Sequence, residues 1–178
     1  MKKISLLVII LIIVGNYSCE RDDICPGSTS TTPRLIIDFL DSEDNDIKKN
    51  VFDLVVIGVD NDEFLTEYYF TDTNNVVLPL KTTDNTTRYF LIKEASINDN
   101  GTPDDSSDDF IEGNQDLIEI NYSREQVFVS RACGFKTVFK NVTLTIVDDP
   151  DNWMLSRTPL TDNQSVEDET TTHFNISH

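Results

Sequence analysis

The sequence predicts an all-β domain, a single β-sandwich of about eight short strands, and three observations carry that prediction. β-branched and aromatic residues gather in short runs, polar and glycine-bearing stretches separate those runs, and apolar residues almost never recur at helical spacing. In residues 34–41, Leu35, Ile37 and Phe39 share one face, and residues 54–59 form a continuous apolar run suited to a strand buried on both sides. Residues 64–70 are a weaker strand candidate, in which the neighbours Tyr68 and Tyr69 should face opposite ways. Residues 76–80 contain Pro79, which has no ladder donor and so points to a sheet edge. After a run at 87–94, Ile118, Ile120 and Tyr122 alternate with Glu119 and Asn121, as a half-exposed strand requires. Residues 126–133 follow, Gly134 turns the chain into 135–139, and Val142, Leu144 and Ile146 alternate with Thr143 and Thr145. Trp153, beside Met154 and Leu155, reads as a plug at one end of the sandwich, with an exposed carbohydrate-stacking ring as the competing reading. A disordered stretch is expected near 160–170. Beyond it Phe174 and Ile176 alternate with His173, Asn175 and Ser177 in a last strand that would leave His173 and His178 exposed. The sandwich domain, of immunoglobulin-like or transthyretin-like type, is expected over residues 34–178.

The N-terminus argues for export. Lys2 and Lys3 precede an apolar run over residues 4–14, which at ~1.5 Å per helical residue covers roughly half of a ~30 Å hydrocarbon core. A signal peptide over 1–18, cleaved after Ser18, would leave Cys19 as a lipid-bearing terminus, with 19–33 as a tether. Asn16 stands where such cleavage boxes usually have Leu, so an ordinary signal followed by a free Cys19 is the competing reading.

The chain holds 14 Lys and Arg against 32 Asp and Glu, a net charge of −18. Without Lys2 and Lys3 the balance is 12 against 32, or −20. That charge repels nucleic acid and anionic headgroups, so nucleic acid is excluded as a partner and membrane attachment should come from the lipid. Of three cysteines, assigning Cys19 to lipid leaves Cys25 and Cys133 as a structural disulfide worth up to about 4 kcal/mol on a chain-entropy estimate. Neither lies in a Cys-x-x-Cys spacing or beside histidines suited to zinc.

No catalytic residues emerge. The two histidines lie at the extreme C-terminus, and no nucleophile elbow or phosphate-cradling glycine loop is present. Paired carboxylates stay open, because only geometry separates a glycosidase-like pair from a solvated face. Arg131 reads as partly buried and paired with a carboxylate such as Glu125, or as a solvated strand residue. No cofactor is expected, apart from a candidate calcium site in an acidic loop over residues 96–116. There Asn98, Asn100, Asp104 and Asp105 approximate the oxygen-ligand spacing of extracellular calcium loops, with Gly101 at the turn. A solvated acidic loop explains the same composition without an ion.

Four strings carry a wider likeness: Cys19-Glu-Arg-Asp-Asp-Ile-Cys25-Pro26, Thr32-Pro33-Arg34-Leu35-Ile36, Tyr122-Ser123-Arg124-Glu125, and Val129-Ser130-Arg131-Ala132-Cys133-Gly134-Phe135-Lys136. Through them most of the mature chain resembles an uncharacterised family of Bacteroidota lipoproteins, a domain of unknown function. The resemblance implies a small outer-membrane lipoprotein with two further paired cysteines, and it brings no activity and no catalytic residues. Glu20, Asp22 and Asp23 are similar to signals that send such lipoproteins to the cell surface, so a periplasmic and a surface-facing domain are both open. Two functional classes follow: a non-catalytic binding or structural module of the envelope, contacting an envelope protein or a glycan, or a carbohydrate-active or other hydrolytic lipoprotein using paired carboxylates.

Overall fold

A computed structural model describes residues 24–29, 31–60, 63–161 and 164–178. The expected signal peptide, Cys19 and residues 20–23 and 30 of the expected tether therefore lie outside the described residues. Ten strands appear among the described residues, and they form two sheets. The first joins β1 (Leu35–Leu40), β5 (Asn75–Leu78), β9 (Ser156–Pro159) and β10 (Phe174–Ser177) in the order β5-β1-β10-β9. The second joins β2 (Val51–Gly58), β3 (Glu63–Phe64), β6 (Thr86–Asn98), β7 (Phe110–Ser130) and β8 (Gly134–Ile146) in the order β3-β2-β6-β7-β8, with β4 (Thr71–Thr73) also pairing with β2.

The core lies between the sheets, where Leu35, Ile37, Phe39 and Ile176 of the first meet Leu54, Leu91, Ile118, Ile120 and Leu144 of the second. The continuous apolar run of β2 works as expected. Val56 enters this core while Val55 enters a second cluster with Ile92 and Ala95, so adjacent side chains are buried on opposite faces. β5 is an edge strand that ends one residue before Pro79. Trp153 is a core plug whose ring N–H donates to the Leu91 carbonyl at 3.3 Å. Behind it, the buried Asp116 carboxylate accepts the backbone N–H groups of Trp153 at 3.3 Å and Met154 at 2.8 Å, latching the β8–β9 crossover to β7.

Several expectations are corrected. The strand candidate at 64–70 breaks after β3 into a 3-10 turn at Thr66–Tyr68, and there Tyr68 is buried while Tyr69 is exposed. The runs at 117–122 and 126–133 are one strand, because β7 passes through a register shift between Asn121 and Ser123 without ending. The acidic loop is shorter than 96–116: Ser96 pairs with Glu112, Ile97 with Ile111 and Asn98 with Phe110, so only residues 99–109 connect the strands. His173 and His178 are buried, because β10 lies inside its sheet, parallel to β1, rather than on an exposed face. Within the stretch expected to be disordered, Val166 is fully buried and exchanges two backbone hydrogen bonds with Phe139. Glu169 binds Arg34 there as well, while residues 162 and 163 lie outside the described residues.

Candidate functional site

An open cleft of about 790 Å³ lies where the turn after β2 meets the β5–β6 connection. Gly58 ends β2 and delivers Asp60, Pro79 ends β5 and delivers Lys81, and β6 contributes Arg88 and Tyr89. Asp60 holds both cations: its Oδ1 accepts from Arg88 at 2.9 Å and its Oδ2 accepts from Lys81. The hydrogen bond from Lys81, followed by that from Arg88, keeps the Asp60 carboxyl below the usual carboxylate range. On the far wall Arg34 donates from Nε and Nη2 to the two carboxylate oxygens of Glu169 at 3.0 and 2.8 Å, and its backbone N–H donates to the same group at 2.9 Å. Glu67 lies 3.8 Å from Arg34 Nη1. Tyr89 donates to the Pro79 carbonyl at 2.5 Å, and burial pushes its phenol well up, so it stays protonated. Phe64, Leu65, Val77 and Leu80 add apolar wall. The cleft thus offers aromatic and aliphatic surface beside cations that carboxylates already neutralise, an arrangement suited to holding a polar ligand. Asp60, kept ionised, cannot serve as a proton donor near neutral pH.

The second feature is the β7–β8 hairpin. Its turn, 131–133, carries Cys133, which is bonded to Cys25 across 108 residues of sequence with a Cα–Cα distance of 4.8 Å. The expected disulfide is therefore present, and it ties the tether to the hairpin tip. Thr32 continues the attachment by accepting the Thr137 backbone N–H at 3.0 Å.

A family model described as a family of unknown function (DUF6452) matches residues 53–178. The chain belongs to that family. The DUF6452 span takes in Asp60, Lys81 and Arg88 of the cleft, the whole β7–β8 hairpin and Cys133, and it leaves out Arg34 and Cys25. No curated protein and no solved structure matches the chain.

The candidate calcium ligands lie together at the β6–β7 connection of the DUF6452 domain, outside the cleft lining. Asn98 Oδ1 accepts the Asn100 backbone N–H at 2.9 Å, while its Nδ2 donates to Glu112 at 2.8 Å. Asn100 Nδ2 and Thr102 Oγ1 both bond Asp108, at 3.0 and 2.8 Å, so Asp108 rather than Asp104 organises the loop. Asp105 accepts the Ser107 N–H at 3.0 Å. Among the described residues, no three His, Cys, Asp or Glu side chains are grouped to share a metal ion. Arg131 is exposed at the hairpin turn. Sequence reasoning missed the cleft altogether: Arg34, Asp60, Lys81 and Arg88 are single charges in four separate segments, and only the sheet register brings them together.

Proposed function

We propose that this chain is a bacterial outer-membrane lipoprotein held through Cys19, and that its β-sandwich is a non-catalytic binding or structural module of the cell envelope. The observation that carries the reading is the Cys25–Cys133 disulfide. Such a bond persists in oxidising, extracytoplasmic compartments, and here it fastens the segment following Cys19 to the folded domain. The N-terminal pattern of Lys2, Lys3 and the apolar run supports export, and the likeness to Bacteroidota lipoproteins supports the lipid. The acids Glu20, Asp22 and Asp23 support display on the cell surface. The cleft supports binding rather than catalysis, since Asp60 is held ionised by two cations and Glu169 is engaged by Arg34. A glycan-acting hydrolase is the second reading, favoured only by the presence of Glu63, Glu67 and Phe64 on the same cleft.

Cys19→Ser should abolish incorporation of a labelled fatty acid and move the protein from the detergent-extracted membrane fraction to the soluble one. Unchanged membrane retention would overturn the anchor. Added protease should cleave the domain on intact cells if it faces outward, and protection until the outer membrane is opened would place it in the periplasm.

A further inference from the structure

Along the β7–β8 hairpin, buried side chains give way to exposed apolar ones toward the turn. Tyr122 and Phe139 are core residues with rings 4.9 Å apart. Nearer the tip Gln126 donates to the buried Thr137 hydroxyl at 2.7 Å, and next come Phe128 and Phe135, paired across the strands. Their rings pack edge to face at 5.4 Å, yet they are 58% and 64% exposed. At the turn itself Ile24, 80% exposed, lines a shallow hollow with Val129, Arg131 and Ala132. The tip is thus apolar, and the hairpin that carries it is basic within an acidic chain. Residues 124–140 carry Arg124, Arg131, Lys136 and Lys140 against Glu125, a net +3 within a chain of −18, and of these cations Lys140 is paired with Glu167.

The disulfide adds a distance constraint. Cys133 lies in the hairpin turn two residues before Phe135, and it is bonded to Cys25, six residues after Cys19. A six-residue segment reaches at most about 20 Å even when fully extended, so a lipid on Cys19 would keep this tip near the headgroups. We propose that the hairpin tip enters the headgroup–acyl boundary of the bilayer that holds the anchor, with Phe128 and Phe135 against acyl chains and the hairpin's cations toward lipid phosphates. The inference rests on the lipid anchor at Cys19 proposed above. Aromatic rings favour that boundary, and basic residues beside it gain from anionic headgroups. A second copy of the chain is the poorer occupant, because two anchored bodies, each of charge −20 without Lys2 and Lys3, repel one another.

The test uses the lipidated full chain with Phe135→Trp, reconstituted into vesicles of phosphatidylethanolamine and phosphatidylglycerol, with or without brominated phosphatidylcholine. The wild-type protein, with Trp153 buried, provides the background emission. The protein should float with the vesicles, and the added emission should show roughly twofold quenching by the brominated lipid, as for a ring buried some ~5–10 Å into the boundary. Phe128→Trp should report the same, so that neither conclusion hangs on one variant; unchanged Trp153 emission and melting temperature certify the fold of each. Flotation without quenching at either position overturns the membrane contact and leaves the anchor standing. Failure to float overturns the anchor, and the contact falls with it.

Discussion

Lowering the pH from neutral should destabilise the domain, because both histidines are buried as neutral rings. His173 Nδ1 accepts the Ile36 N–H at 2.9 Å, and its backbone N–H returns a bond to the Ile36 carbonyl at 2.9 Å. A proton on Nδ1 would set two donors against each other. The His178 ring packs edge-on against Phe39 and Trp153, with centroids at 6.0 and 5.5 Å, and its buried Nδ1 has no hydrogen-bond partner. Burial lowers both pKa values, outweighing the Asp168 and Glu169 charges near His173; near His178, Lys93 and Lys49 lower it further. The unfolded chain therefore takes up protons from about pH 6.5 downward while the folded chain resists them, so stability is full above that pH and is lost as pH falls toward the folded-state values. Each histidine contributes a slope of about 1.4 kcal/mol per pH unit within that window, so the pair contributes up to about 2.7. Asp41, Asp60, Glu167, Asp168 and Glu169 are held low, so their contributions are lost only in stronger acid; Asp116, raised by burial, works in the opposite sense. Urea unfolding followed by Trp153 fluorescence, with the disulfide intact, should show a midpoint that falls from about pH 7 to about pH 5.5. His173→Asn with His178→Phe should flatten that fall. A wild-type stability that does not change across this window, or an equally steep loss in the double variant, would refute the reasoning.

Asp116→Ala should cost about 2–4 kcal/mol, since it strands the buried N–H groups of Trp153 and Met154 while relieving a desolvated carboxylate. A loss under about 1 kcal/mol by the same unfolding assay would mean that the latch contributes little. Gly113→Ala should be costlier than Gly101→Ala, judged by melting temperature. At Gly113, φ is +151° and a Cβ would sit 2.7 Å from Ile92 Cγ2, whereas Gly101, at +78°, has nothing within 4 Å and should lose only about 1 kcal/mol.

What the sequence made legible was whatever a single strand encodes about its own two faces. The run through Val55 and Val56, the edge position before Pro79, and the burial of Trp153 follow from local pattern and were readable. His178 could have been read too, since it falls two residues after Ile176 on the apolar face, where it packs against Phe39 and Trp153. His173 could not, because alternation with Phe174 and Ile176 assigns it to the opposite face, and that face is exposed only if no neighbour covers it. The neighbour is β1, whose Ile36 supplies the hydrogen bonds that make burial of His173 tolerable. The ends of β6 and β7 were hidden for the converse reason: Ser96, Asn98 and Glu112 are polar, and their pairing with the facing strand, rather than apolar burial, holds them extended. The cleft was invisible because its charges meet only through cross-sheet register.

The parallel pairing of β1 with β10 has a bearing on the order in which the chain folds. Ile37 aligns with Phe174 and Leu40 with Ser177, partners 137 residues apart. The β6–β7–β8 meander joins sequence neighbours, so it can close early through local contacts alone. The slot between β1 and β9 cannot be filled until β10 arrives, and until then β1 presents one flank of unpaired backbone groups to any other extended chain. A chain that reaches its folding compartment from the N-terminus onward leaves that flank open until β10 follows, which makes the interval before β10 arrives the period of greatest exposure to misassembly.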